Sequence, residues 1–159
     1  MAIRRLELAG PRQEFKPGTF KGGAVWVNQA YVDKAQKLLP TLGAKFPFAI
    51  ELLETQVYGT QYCLKPKDTI LLTKAPTRNV LVHELGHHVF HTKLPPKDKK
   101  VLDSLCKPKK LDSNEQFASI AEFLVCGSCK RFEKDGQSVD PKLAQNKDLV
   151  AMVSKYFSF

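Results

Sequence analysis

The chain has 159 residues, 43% of them apolar, which suits a globular protein with one core. No stretch approaches the ~18 continuous apolar residues of a membrane span. The start, MAIRRLELAG, carries Arg4, Arg5 and Glu7 in place of the apolar core of a secretory signal. A cytoplasmic protein without a membrane partner is the expectation. The formal charge of +9 admits an acidic partner or nucleic acid. Its densest patch is Lys97, Lys99, Lys100, Lys107, Lys109 and Lys110, and no aromatic residue interleaves there to stack bases.

Residues 1–28 are rich in Gly and Pro and hold no sustained period, which predicts an irregular N-terminal arm with one short strand at Ile3–Leu8. Residues 29–159 are expected to form a single domain. Tyr31, Ala35, Leu38 and Leu39 have helical spacing and predict a helix that ends near Pro40. From Phe48 the period changes: a strand ends at Gly59, an extended piece covers Thr60–Leu64, and a second strand covers Thr69–Thr73. A helix over Thr77–Thr92 follows, with Thr77 as cap and Pro95-Pro96 as stop. Further helices are expected at Lys97–Cys106, from a Ser113 cap with Gln116 as its capping-box partner to about Arg131, and from Pro141 to Phe157. The expected fold class is α+β: a small, mainly antiparallel sheet feeding one helix, followed by a helical C-terminal part.

Cys63, Cys106, Cys126 and Cys129 are expected to be free, largely buried thiols in a chain without a secretory signal. Cys126-Gly-Ser-Cys129 is a CxxC, but no second CxxC accompanies it to complete a four-cysteine zinc site.

The helix over Thr77–Thr92 contains His83-Glu84-Leu85-Gly86-His87, an HExxH. Residues four apart share a helix face, so His83 and His87 can direct two imidazole nitrogens at one metal ion. Glu84 lies about 100° round the axis, within reach of a water on the metal, where it can serve as general base. Val80, Leu81, Val82, Leu85 and Val89 read as an apolar stripe opposite the histidines. All four histidines, His83, His87, His88 and His91, fall in this helix. His91 stands roughly 12 Å along the axis from His83, too far to share one ion. A catalytic zinc needs a third protein ligand, and with no later histidine that ligand must be a carboxylate. The downstream candidates are Asp103, Asp112, Glu115, Glu122 and Glu133. Glu115 and Glu122 are seven apart and share one face of the third helix, opposite Phe117, Ile120, Ala121 and Leu124.

Asn114-Glu115-Gln116-Phe117-Ala118-Ser119-Ile120-Ala121-Glu122 resembles the second motif of gluzincin metallopeptidases. It is similar to the NEGFAxxxE of the gluzincin aminopeptidases and shares its NE with the NExxSD of thermolysin-like enzymes. The separation of His87 from Glu115 is nearer to that of small gluzincins from bacteria and phages. The substrate motif of the aminopeptidases, GAMEN, is absent. The resemblance implies a zincin-like fold, one Zn²⁺ held by His83, His87 and Glu115, and hydrolysis of a peptide or protein substrate. It further implies that Glu122 orients a histidine, that the edge segment Thr60–Leu64 binds substrate by strand addition, and that a Tyr or His stabilises the oxyanion. For the last role Tyr156, Tyr58, Tyr62 and His91 are all candidates. Two other readings are a catalytically silent zincin-like structural or regulatory protein, such as one associated with a phage, and a DNA-associated SprT-like protease. The latter relies on a third downstream histidine that this chain does not have.

Overall fold

In a computed structural model, residues 2–5, 13–14, 24–26, 29–45, 49–55, 61–63, 69–72, 75–134 and 138–159 are described. Chain contacts divide the protein into two compact units, Met1–Thr41 with Phe46–Thr77, and Leu42–Lys45 with Arg78–Phe159.

Among its described residues the first unit holds six short strands and one α-helix. They are β1 (Ala2–Arg5), β2 (Gln13–Glu14), β3 (Ala24–Trp26), α1 (Gln29–Leu38), β4 (Ala49–Thr55), β5 (Gln61–Cys63) and β6 (Thr69–Leu72). Three of these strands fall in the expected irregular arm, whose other residues lie outside those described. The strand order is β2-β3-β4-β6-β5, with β1 also on β4.

The expected α+β domain on a mainly antiparallel sheet is corrected. Among the described residues the protein is mostly helical. Where strands do pair, the pairing is mixed, since β4 runs parallel to both β1 and β6. Alternating apolar residues report that a strand has a buried face; they do not report its neighbours. In the observed order β6 lies between β4 and β5, parallel to β4 and antiparallel to β5.

The second unit, which carries the HExxH, has no sheet among its described residues, only a bridge between Ala44 and Phe157. Its helices are α2 (Arg78–Thr92), α3 (Pro96–Cys106), α4 (Ser113–Cys126) and α5 (Lys147–Ser154). Every residue of α2 from Leu81 to Val89 is buried. Leu81, Val82, Leu85 and Val89 of the expected apolar stripe are buried, and the histidines on the other face are buried with them, so the helix is covered on both faces.

Gly86 decides how α2 meets α4. A Cβ at Gly86 would lie 2.8 Å from the Cα of Ala118, so the two backbones cross in near contact there. Glu115 and Glu122 stand about one turn to either side of Ala118, which brings both carboxylates level with the histidines. Asp112, rather than the expected Ser113, caps α4; its Oδ1 accepts from Glu115 N at 2.9 Å. Ser113 Oγ instead donates to Asp103. Gly127, at φ +80°, ends α4 with a left-handed turn, five residues short of the expected end at Arg131.

The fully buried side chain of Gln116 accepts from Asp140 N at 2.7 Å and donates to Asp140 O at 3.0 Å. The expected helix Pro141–Phe157 is split at Asn146, whose side chain accepts from the amides of Asp148 and Leu149 and so caps α5. The tail then pairs with residues 43–45: Ser158 N donates to Gly43 O at 2.6 Å and Lys45 N to Tyr156 O at 2.9 Å. Phe117 and Phe157 are among the largest fully buried side chains; each contributes about 1.5–3 kcal/mol through burial. Among the described residues, no helix is long and apolar enough to cross a membrane.

Candidate metal centre

His83 and His87 occupy successive turns of α2, with ring centroids 4.8 Å apart and planes at 78°. Both Nε2 atoms face Glu115 in the first turn of α4: His83 Nε2 lies 3.1 Å from Oε2, and His87 Nε2 lies 3.1 Å from Oε1. One donor atom from each residue falls within 4.8 Å of the others. For metal–ligand bonds of about 2.05 Å, the edge of a tetrahedron is about 3.3 Å; each 3.1 Å contact is close to that edge, but they run to different oxygens of Glu115, so the carboxylate must turn to place one oxygen on a shared ion. His83, His87 and Glu115 thus form a group that could hold a metal ion. Two imidazoles and a carboxylate suit several divalent transition metals, so the donor set alone does not name one.

Each ring is turned by a partner on its other nitrogen. His83 Nδ1 donates to Glu122 Oε1 at 3.0 Å, and His87 Nδ1 donates to Asn114 Oδ1 at 2.7 Å. These bonds leave both Nε2 atoms for the shared site. Glu122 is itself held: Asn79 Nδ2 donates to its Oε2 at 3.0 Å and to Ser128 O at 2.9 Å, and Cys129 Sγ lies 3.6 Å from Oε1. Asn114 Nδ2 reaches His91 Nε2 at 2.9 Å, so one carboxamide spans His87 and His91. Arg131 Nε lies 3.2 Å from Glu115 Oε2.

The charges are strongly coupled. Burial disfavours the His83 cation, yet hydrogen bonds to Glu115 and Glu122 and the charge of Glu84 outweigh it and raise its pKa to about 9. Burial pushes Glu115 up, and the opposing bonds from His83 and His87 hold it well below the usual carboxylate range. Without a metal, a proton on His83 sits where the ion would. Glu84 is buried beside His83 on α2.

The other candidates are placed elsewhere. Asp112 caps α4, Asp103 binds Ser113 and Lys107, and Glu133 is exposed. The Tyr156 hydroxyl donates to Lys93 O at 3.3 Å, beyond the C-terminal end of α2. Tyr58 lies outside the described residues; Tyr62 is on β5, with its side chain outside them. The segment Thr60–Leu64 includes β5. Cys106, Cys126 and Cys129 are free thiols whose pKa values burial pushes up, and the Cys63 side chain lies outside the described residues.

Asn114, Asn79 and Arg131 were missed in the sequence. Two of them left a signal. Asn114 shares the first turn of α4 with Glu115, and Asn79 stands four residues before His83 on one face of α2. Arg131 left none, because it reaches Glu115 through a turn at the far end of α4. Comparison with protein-family models, curated proteins and solved structures returned no match.

Proposed function

We propose that this protein is a zinc-dependent metallopeptidase of the gluzincin type. The observation that carries the reading is the convergence of His83, His87 and Glu115 from two helices, with Glu84 buried on the same helix as the histidines. Zinc bound there would supply a Lewis acid and lower the pKa of water toward ~7. Glu84 takes a proton from the attacking water and returns it to the leaving amine. Glu122 and Asn114 hold the two rings so that both Nε2 lone pairs meet at one point. Burial of the histidines and Glu84 keeps bulk water from screening these charges. The Lys97–Lys110 patch fits an acidic substrate or partner better than a base-stacking one.

Metal analysis of the purified protein, paired with cleavage of a peptide library with and without a chelator, tests the reading. One equivalent of zinc and chelator-sensitive cleavage are expected. Glu84→Gln should keep the zinc and lose about 10²–10⁴-fold in rate. Cleavage that survives either the chelator or Glu84→Gln overturns the mechanism. Stoichiometric zinc without cleavage of any peptide would favour the catalytically silent alternative.

A further inference from the structure

After α4 the chain turns at Gly127 and doubles back alongside the helix. Three contacts trace its path. Ser128 O accepts from Asn79 at 2.9 Å, Cys129 Sγ meets Glu122 at 3.6 Å, and the Phe132 ring lies 5.8 Å from that of Phe123. Cys129 is 2% exposed, so this strap is anchored rather than draped. Glu115 and Cys126 stand roughly 16 Å apart along the helix at the usual rise. The return of the strap to the level of Glu122, with the length of the arginine side chain, brings Arg131 Nε to Glu115 Oε2, where it sits at 3.2 Å.

Oε2 of Glu115 lies 3.2 Å from Arg131 Nε and 3.1 Å from His83 Nε2. We infer that Arg131 is a positioning residue for the third metal ligand: it keeps Oε2 engaged so that Oε1 alone bonds a bound ion. A carboxylate with both oxygens available can chelate, raising the coordination number and filling the position that a catalytic site keeps open. A guanidinium hydrogen-bonded to one oxygen fixes the carboxylate plane and blocks that mode. Glu122, Ser128 and Asn79 then serve twice. They orient His83 and they seat the strap that carries Arg131. The inference rests on the metal-binding part of the proposal above and is independent of peptide hydrolysis.

The test compares wild type, Arg131→Met and Arg131→Gln by Zn²⁺ affinity, measured against a chromophoric chelator, and by the visible spectrum of the Co²⁺-loaded protein. Arg131→Met should weaken Zn²⁺ binding about tenfold or more, as loss of an outer partner does. Its Co²⁺ bands should also lose intensity as Glu115 becomes bidentate. Arg131→Gln keeps a donor without the charge, so affinity within about threefold of wild type and an unchanged spectrum are expected. It decides the matter alone if Arg131→Met does not fold. If Arg131 were only a cation repelling the ion, either variant would bind Zn²⁺ more tightly, and that result overturns the inference. So does an Arg131→Met protein that matches wild type in both measurements, or an Arg131→Gln protein weakened tenfold. Wild type that binds neither metal removes the metal centre itself and the inference with it.

Discussion

The two histidines of α2 are oriented by chemically unlike partners. His83 is held by the carboxylate of Glu122, which needs Asn79 and Cys129 to keep it in place, while His87 is held by the neutral carboxamide of Asn114, which continues to His91. A carboxylate orients a ring and also makes it more basic; a carboxamide orients it without adding charge. Glu84, Glu115 and Glu122 would already set three carboxylates around a divalent ion bound there, and Arg131 lies against one of them. A second carboxylate in place of Asn114 would burden the site with uncompensated charge. The contrast divides the labour: the His83 arm sets the electrostatics and the His87 arm sets geometry.

The largest effect is expected where the arms meet. Glu115→Ala removes the partner they share, and metal affinity measured by chelator competition should fall by more than the ~100-fold upper end for an outer partner. Next comes pH. His83 in the metal-free protein has a pKa raised to about 9, and it must lose that proton to become a ligand. Apparent affinity should therefore climb about tenfold per pH unit between neutrality and 9. Stability of the metal-free protein should move the other way. The protonated His83 contributes fully below its ordinary 6.5, and the contribution is lost as pH rises through about 9. Thermal melts with and without zinc across pH 6–10 would show the two trends crossing, and parallel trends would break the electrostatic half of the contrast.

Within the arms, Glu122→Ala should weaken metal binding nearer 100-fold and Asn114→Ala nearer tenfold. Only Glu122→Ala should also shift the pH dependence to lower values. Equal losses with equal pH profiles would erase the distinction. The smallest effect on the contrast is expected at the helix crossing. Gly86→Ala forces apart two backbones that serve both arms alike, costing about 1–3 kcal/mol by overpacking, or several degrees of melting temperature. A Gly86→Ala protein as stable as wild type would mean that the crossing has room to give.

The metal helix was legible because its signals are local: four-residue spacing, a proline stop and histidines concentrated in one segment. Glu115 was legible only through its motif, and the side chains that support the rings split along the same line. Glu122 and Asn114, which turn the rings, both belong to the NEQFASIAE pattern, whereas Asn79, which holds Glu122, becomes relevant only once α2 and α4 are packed. The end of α4 was placed too late, although Gly127 carried the stop signal. Asn146 likewise marked the break in the last predicted helix. In the first unit, the positions of β4, β5 and β6 followed from β-branched and aromatic residues, but β2, β3 and the strand order did not. Order is set by long-range pairing that periodicity does not record.

Gln116 carries a further consequence. It follows Glu115 directly and grips the backbone of Asp140 by both its oxygen and its nitrogen. A ligand about 6 Å from a helix axis swings roughly 1.5 Å for every 15° of roll, enough to take Glu115 out of bonding range. Rolling α4 would break both amide contacts at once. Gln116 therefore acts as an indexing pin: it sets the angular position of the helix, and the loop around residue 140, far along the chain from the histidines, becomes part of the tolerance to which the candidate metal centre is machined.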